Sequence, residues 1–220
     1  MIILLMGAPG AGKGTQADLI SEKFGVAKLS TGDALRAQIR KGTEIGKNVE
    51  GVLAEGKLVS DDILLQILLS EFQDATLKDI LLDGYPRNVA QAEELARFQE
   101  PYEVGIVIHL DVPEAELVKR LTGRMVCKSC GKSYHQIAMP IPSDGKCEQC
   151  QGADFFQRDD DKKDKVLVRL KTYEENTKPV LDYYRVQNLY RKVDGTGSAN
   201  AIFKQVSAIL TEIGVSVKDA

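Results

Sequence analysis

The chain has 220 residues, a length that suits one domain with insertions or one domain with a small subdomain. Its 29 Lys and Arg residues against 32 Asp and Glu residues give a net charge of −3, which excludes a general attraction to nucleic acid or to anionic membranes. The apolar start is too short for a signal peptide, and no apolar run reaches the roughly 18 residues of a membrane helix. We therefore expect a soluble, cytoplasmic protein.

A glycine-rich run, Gly7 to Thr15, follows an apolar strand-like stretch and precedes apolar residues at helical spacing. Glycines let successive backbone N–H groups turn inward, and the helix N-terminus adds positive charge, so this loop favours phosphate. Lys13 supplies a full charge for the outer phosphates. The general pattern has Ser or Thr after the lysine, but Gly14 intervenes and the hydroxyl falls at Thr15. The metal-contacting role of this hydroxyl is left open, and a turn without a ligand is the less favoured interpretation.

Between residues 26 and 68 the pattern predicts a short strand followed by three helices. The strand covers 26–30, and Thr31 is the expected N-cap of the first helix. The second helix begins at Thr43 and ends before Gly56, a favourable residue just past a helix C-terminus. The third begins with the capping residues 60–62 and carries an apolar stripe at 63, 64, 67 and 68.

The next segments predict two buried strands, each followed by a helix. The first strand, 80–82, leads into a turn at 84–87 and a helix capped by Asn88 that continues to Phe98. The second strand, 104–110, is apolar apart from His109, which we interpret as a core histidine with satisfied hydrogen bonds. Pro113 is expected at the first position of the helix that follows, through residue 121.

The C-terminal part predicts a long helix at 162–185, a strand at 189–193, a turn at 195–197 and a last helix at 199–213. The charged run at 159–164 has the composition of a solvated helix start. Alternating strands and helices indicate an α/β fold with a parallel sheet and right-handed crossovers. Ligands of such sheets bind at the carboxyl ends of the strands, where the glycine loop lies.

Four cysteines form two CxxC pairs, Cys127 with Cys130 and Cys147 with Cys150, separated by 16 residues. Two such turns facing each other supply the four thiolates of a closed tetrahedral zinc site, which has no open position for catalysis. Two disulfides or free redox cysteines are less favoured alternatives at this spacing. His135 is a weaker candidate ligand, and we expect it at the surface or beside a nucleotide.

Arginines are concentrated near the expected ligand edge and beside the cysteine segment: Arg36, Arg87, Arg120, Arg124, Arg158 and Arg169. Guanidinium groups bind phosphate oxygens bidentately and keep their charge, although any one of them is more often solvated or salt-bridged. Phosphoryl transfer from a nucleoside triphosphate to a monophosphate would use such a set, because its catalysis is mainly positioning and charge stabilisation. The acceptor phosphate oxygen is largely ionised at neutral pH, so no general base is required.

With these motifs together, residues 1–213 resemble adenylate kinases of the bacterial long-lid type with a four-cysteine zinc site. The motifs that carry the resemblance are 7–15, 30–33, 83–87, 123–124, 158–161 and 193–196. The resemblance implies a three-layer parallel β-sheet core of the P-loop nucleoside monophosphate kinase type, a helical AMP-binding insert and a zinc-ribbon-like lid. It places the core at 1–29, 60–123 and 159–220, the insert at 30–59 and the lid at 124–158.

The resemblance also implies residue roles. Catalytic residues would be Lys13, Arg87, Arg120, Arg124, Arg158 and Arg169. ATP would be bound by Gly10, Ala11, Gly12, Lys13, Gly14 and Thr15, with Arg124, Ser133, Tyr134 and Gly197, the last through its backbone alone. AMP would be bound by Thr31, Arg36, Lys57, Leu58, Val59, Gly84, Tyr85, Pro86, Arg87, Gln91, Arg158 and Arg169. Asp160 and Asp161 match acids that join lid and core, and Asp83 and Asp33 would be outer partners of Mg²⁺.

The expected function is reversible phosphoryl transfer from Mg-ATP to AMP, with structural Zn²⁺ at the four cysteines. ATP, AMP and ADP would be the partners of a monomer that binds neither nucleic acid nor membranes. One alternative is a kinase for another nucleoside monophosphate. A less favoured one is a nucleotide-regulated protein whose zinc ribbon binds nucleic acid, but acidic residues offset the lysines of that segment and aromatic platforms are few.

Overall fold

The computed structural model describes residues 1–60, 62–64, 79–97 and 103–218. The strands are β1 (Ile2–Met6), β2 (Ala27–Ser30), β3 (Ile80–Asp83), β4 (Val104–Asp111), β5 (Arg124–Cys127), β6 (Ser133–His135), β7 (Phe155–Phe156) and β8 (Tyr190–Asp194). The helices are α1 (Lys13–Phe24), α2 (Thr31–Arg40), α3 (Glu44–Ala54), α4 (Val89–Leu95), α5 (Glu114–Thr122), α6 (Lys163–Thr172), α7 (Lys178–Arg185) and α8 (Ala199–Glu212). A 3₁₀ turn at Asp159–Asp161 precedes α6, and a π-helical segment at Tyr173–Thr177 joins α6 to α7.

The central layer is a sheet with the order β2-β3-β1-β4-β8, in which every neighbouring pair is parallel. Residues of β1 alternate between the two faces. Ile3 and Leu5 pack into an apolar cluster that includes residues of α1 and α8, whereas Ile2 and Leu4 pack into one that includes residues of α4 and α7. Helices therefore cover both faces of the sheet, which makes the three-layer α/β core expected from the sequence.

A second, antiparallel sheet has the order β6-β5-β7 and lies between α5 and the 3₁₀ turn. The buried residues of this sheet and its connecting loops include Cys127, Tyr134 and Cys147. This small cluster contains few aliphatic side chains, so the sheet lacks the apolar core that normally stabilises an independent unit. None of the helices in the described ranges is long and apolar enough to cross a membrane.

Three predicted details differ from the structure. Ser30 is the N-cap of α2, because its Oγ accepts a hydrogen bond from the Asp33 backbone N–H at 3.3 Å. Thr31 is the first residue of the helix instead, and its buried hydroxyl donates to the Gly84 carbonyl at 2.9 Å. Pro113 occupies the N-cap position of α5 and not its first turn. The predicted helix at 162–185 is helical along most of its length but contains the π-helical segment.

Two predicted features fall partly outside the described ranges. Residues 62–64 are helical, as expected for the helix that follows Ser60, while Ile67 and Leu68 lie outside the described residues. Helix α4 ends at Leu95 and is therefore shorter than predicted, while Phe98, its predicted last residue, lies outside the described residues.

The contact between α2 and α3 depends on a glycine. A Cβ atom at Gly46 would overlap the backbone carbonyl of Gln38, which no side-chain movement relieves. We expect Gly46→Ala to lower the free energy of unfolding by about 1–3 kcal/mol through this overpacking, and therefore to lower the melting temperature by several degrees. Thermal denaturation followed by circular dichroism would measure it.

Gly51 in the same helix provides the matched control, because a Cβ there meets nothing within 4 Å. Gly51→Ala should leave the melting temperature unchanged or raise it slightly, since alanine favours a helix interior. Equal melting temperatures for the two variants would show that the helices do not pack as described.

Candidate active site

A cleft of about 2290 Å³ lies at the carboxyl ends of the parallel strands. It is lined by the glycine loop, the turn after β3, parts of α2 and α3, and the small sheet. Pockets for a single drug-sized ligand usually measure about 300–1,000 Å³. This cleft therefore has room for more than one ligand of nucleotide size.

The glycine loop closes one end of the cleft. Gly10 has a φ of 86°, and a Cβ there would lie 2.9 Å from Leu121 Cγ, so both the backbone conformation and the space require glycine. Helix α1 begins after Gly12 without a side-chain cap among the described residues. Its first N–H groups are thus available to an anion.

Lys13 lies under this loop, where its Nζ donates to the carbonyls of Gly7 at 2.8 Å and Ala8 at 3.1 Å. Burial lowers the pKa of Lys13 to about 8, and the charge of Arg87 adds to this effect while that of Asp83 opposes it. A buried ammonium bonded to neutral carbonyls is best stabilised by an added anion. The ammonium group of Lys13 is therefore placed where it can bind a phosphate.

A buried carboxylate joins two of the arginines. Asp161 is fully buried and accepts hydrogen bonds from Arg124, at 2.7 Å from Nε and 2.5 Å from Nη2. Arg169 donates to the same carboxylate at 2.8 Å and also pairs with Asp160 at 3.1 Å. This arrangement links β5 of the small sheet to α6 of the core.

Two further arginines in the cleft have no carboxylate partner within salt-bridge distance in the described part of the chain. Arg158 has a buried Nε with no hydrogen-bond partner, and burial together with Arg36 and Arg124 lowers its pKa to about 9. Burial likewise lowers the pKa of Arg87 to about 10. Both side chains need a negatively charged group, and the cleft offers space for one.

Arg36 and Arg120 also line the cleft, but each already has a carboxylate partner on its own helix. Arg36 pairs with Asp33 at 2.6 Å, and Arg120 pairs with Glu116 at 3.2 Å. These pairs are partly exposed and contribute little to stability, so a ligand can compete for both arginines.

The turn after β3 is fixed by residues behind it. The Gln91 side-chain Oε1 accepts from the Arg87 backbone N–H at 2.6 Å, and the Asn88 side chain caps α4 through Gln91 N at 2.8 Å. The Tyr85–Pro86 peptide is cis. Thr31 and Gln91, predicted to bind substrate, are both buried and do not line the cleft, so here they hold the turn in place.

The remaining predicted binding residues divide into two groups. Ala11 and Val59 are buried outside the lining of the cleft, and Lys57 pairs with Glu55 at 2.6 Å at the surface. The other predicted residues line the cleft: Gly10, Gly12, Gly14, Thr15, Leu58, Gly84, Tyr85, Pro86, Ser133, Tyr134 and Gly197. The ring of Tyr134 packs edge-on against Phe155 in the small sheet, which leaves mainly its backbone for a ligand.

The four cysteines lie together at the end of β5 and in the loops between the strands of the small sheet, with their Sγ atoms within 4.8 Å of one another. Cys127 Sγ is 3.5 Å from Cys150 Sγ, and Cys130 Sγ is 3.5 Å from Cys147 Sγ. Zn–S bonds of about 2.3 Å place tetrahedral sulfurs about 3.8 Å apart, so the cluster fits a metal ion of this kind. None of the four forms a disulfide in this structure.

The surroundings of Cys147 favour the thiolate that a metal requires. Burial opposes ionisation, but hydrogen bonds from the Tyr134 hydroxyl and from backbone N–H groups lower the pKa of Cys147 to about 6. His135 does not join the cluster, because its Nδ1 accepts from the backbone N–H groups of Ile137 and Ala138.

His109 is a core histidine, as the sequence indicates. It lies between two tyrosine hydroxyls, with Nδ1 at 3.0 Å from Tyr190 and Nε2 at 3.3 Å from Tyr173. Burial lowers its pKa to about 4, so the imidazole is neutral at physiological pH. Both ring nitrogens are engaged by tyrosine hydroxyls, and His109 is not among the residues that line the cleft.

Comparison with known proteins agrees with this geometry. A family model described as "Adenylate kinase" matches residues 5–189 of the chain. The adenylate kinase of Methanothrix thermoacetophila is 44% identical over 215 residues, which cover 96% of this chain and 99% of the relative. That of Archaeoglobus fulgidus is 43% identical over 216 residues, with 97% and 99% covered, and that of Thermodesulfovibrio yellowstonii is 44% identical over 213 residues, with 96% and 99% covered. The match of the family model and the similarity along nearly the whole sequence show that this chain belongs to the adenylate kinase family.

Proposed function

We propose that this protein catalyses the reversible transfer of the terminal phosphoryl group of Mg-ATP to AMP, which gives two molecules of ADP. The observation that carries the proposal is the convergence of cationic side chains from the glycine loop, the turn after β3, the small sheet and α6 on one cleft. Phosphoryl transfer concentrates negative charge on the transferring oxygens, and such charge is stabilised by fixed cations. The names of the relatives support the same reaction.

The two nucleotides are assigned to the two sides of the cleft. ATP phosphates would lie in the glycine loop, where the α1 N-terminus and Lys13 provide positive charge, with the base near Gly197 and the small sheet. AMP would lie between α2 and the turn after β3, with its phosphate near Arg36 and Arg87. Arg120, Arg124, Arg158 and Arg169 would then surround the phosphoryl group in transfer.

The residues of the cleft need only bind, orient and exclude water. The acceptor oxygen of AMP is ionised at neutral pH, since the second pKa of a phosphate is about 6. The proposal accordingly needs no histidine base, which agrees with the neutral, buried state of His109. Closure of the small sheet over the ligands would keep water from the reactive phosphate.

Two metal ions belong to the proposal. Mg²⁺ prefers oxygen ligands, and Asp83, whose carboxylate lies at the edge of the cleft and raises the pKa of Lys13, would hold it with the phosphates. Bound Mg²⁺ would neutralise part of the phosphate charge. Asp33 is a weaker partner, because it already pairs with Arg36 at 2.6 Å. The four cysteines would hold Zn²⁺ as a structural ion.

The proposed protein acts as a monomer in the cytoplasm and binds neither nucleic acid nor membranes. Another nucleoside monophosphate as acceptor is the less favoured alternative, because the relatives are named adenylate kinases.

The reaction is tested by coupled assays of ADP formation from ATP with AMP, GMP, CMP or UMP as acceptor. We expect AMP-dependent ADP formation that far exceeds the rate with the other three. Lys13→Ala and Arg87→Ala should each reduce turnover on the order of 10²-fold, because each removes one fixed charge from the transferring phosphates.

Lys171→Ala is the matched control for these variants, since Lys171 is exposed and lies outside the cleft. It should leave turnover unchanged. Absence of AMP-dependent ADP formation would contradict the proposed reaction, and normal turnover of both Lys13→Ala and Arg87→Ala would contradict the proposed site.

Metal removal tests the structural role of the cysteines. Chelation, or Cys130→Ser, should lower the melting temperature while turnover at low temperature is largely kept, because the ion stabilises a sheet with a small apolar core. Metal analysis together with calorimetry would measure both effects. Ser129→Ala, beside the cysteine but without a thiol, should retain the metal and the melting temperature. A metal-free protein that is equally stable but inactive would show that the ion is catalytic.

A further inference from the structure

The helical stretch that runs from α6 into α7 contributes residues to the cleft, and its backbone hydrogen-bond pattern changes at one place. Between α6 and α7, residues Tyr173–Thr177 form a π-helical segment, and the Lys178 N–H bonds to the Tyr173 carbonyl five residues before it. Pro179 follows at the start of α7 and has no N–H to continue the regular pattern. Short π segments inside α-helices occur frequently at functional sites.

Thr177, at the end of this segment, directs its hydroxyl to another part of the protein. Helical threonines commonly bond their own helix, as Thr172 does with its Oγ1 donating to the Val168 carbonyl at 2.9 Å. The equivalent carbonyl for Thr177 is that of Tyr173, which already accepts from Lys178. Thr177 Oγ1 donates instead to the carbonyl of Arg87 at 2.9 Å, across 90 residues of sequence.

This bond completes a three-point attachment of Arg87. The arginine's backbone N–H is held by Gln91 Oε1 at 2.6 Å, its carbonyl by Thr177, and its side-chain Nε donates to the Gly84 carbonyl at 2.7 Å. Both Thr177 and Arg87 line the cleft. Because the backbone of Arg87 is fixed on both sides and its Nε is also bonded, the guanidinium is held in one position before a ligand arrives. A displacement of about 1 Å in such a group weakens binding and slows catalysis.

We propose that Thr177 is a positioning residue that holds Arg87 in place for the phosphate of the nucleoside monophosphate, through its hydrogen bond to the Arg87 carbonyl. The inference rests on the proposed function, which assigns that phosphate to Arg87. Thr177 acts through Arg87 and does not itself touch the reacting atoms. It was not singled out by the sequence, because a threonine in a helical stretch gives no signal of a partner 90 residues away.

The test uses three variants of the full chain. Thr177→Val keeps the shape and β-branching but removes the donor, and Thr177→Ser keeps the donor. Thr172→Val makes the same change at a threonine whose hydroxyl bonds its own helix. Dissociation constants for AMP alone and for ATP alone would be measured by calorimetry, with the melting temperature of each variant. KM for each nucleotide and kcat would be measured in parallel.

We expect Thr177→Val to weaken AMP binding about fivefold, the factor typical of one lost neutral hydrogen bond, and to leave ATP binding within about twofold. Thr177→Ser should restore AMP binding, and Thr172→Val should resemble the parent protein. In an Arg87→Ala background, Thr177→Val should cause no further loss of AMP binding, because its effect passes through the arginine.

Parent-like AMP binding by Thr177→Val would overturn the inference. So would an equal loss for ATP and AMP that serine does not restore, because that result indicates a merely structural role. If Arg87→Ala itself left AMP binding unchanged, the assignment of Arg87 in the proposed function would be wrong. The two failures are thus distinguishable.

Discussion

The carboxylate of Asp161 is the interaction on which the cleft depends. It is fully buried, and it accepts two hydrogen bonds from Arg124 and one from Arg169. Two guanidinium groups repel each other at such distances, and a carboxylate between them converts that repulsion into attraction. Because Arg124 begins β5 and Arg169 belongs to α6, the same group connects the small sheet to the core. A single buried charge therefore brings the two arginines together and fixes the position of the small sheet relative to the core.

Beyond this group, the cleft contains more positive charge than its own carboxylates neutralise. Burial lowers the pKa of Lys13, of Arg87 and of Arg158, and the nearby arginines add to the effect at each of them. A lowered pKa of a base means that the protein environment disfavours its charged form. Phosphates bound among these groups would reverse that imbalance. The same charges thus favour a ligand with several negative charges, which is what the proposed phosphoryl transfer requires.

Much of the fold follows from local patterns. The parallel sheet is predicted by the apolar strands at 2–6 and 104–110 and by the alternation of strands with helices. The glycine loop is recognisable because a loop of this sequence between a strand and a helix is typical of phosphate binding. The spacing of the two CxxC pairs predicts the cysteine cluster, because two such turns typically supply the four thiolates of one metal site. These features depend on residues close in sequence, or on motifs whose geometry is the same wherever they occur.

Features that depend on distant partners could not be predicted in this way. The acidic run at 159–164 has the composition of a solvated surface, yet Asp161 is buried because two arginines surround it. The resemblance to the family implied that Asp161 joins lid and core, but it did not imply the pairing with these arginines. Thr31 and Gln91 support the turn after β3 from behind, which depends on how α2 and α4 pack. Ser30 replaces Thr31 as the N-cap because β2 runs directly into α2, and both residues are suitable caps.

The comparison of Asp161→Asn with Asp159→Asn tests the central role of the buried carboxylate most directly. Asp159 lies in the same 3₁₀ turn but is exposed and pairs with the surface residue Lys162, at 2.7 Å. Turnover should be measured at a temperature where circular dichroism shows both variants folded. We expect Asp161→Asn to reduce kcat on the order of 10²-fold, because Arg124 loses its carboxylate partner and Arg169 keeps only Asp160 of its two. Asp159→Asn should resemble the parent. A kcat for Asp161→Asn within about twofold of the parent would contradict the account.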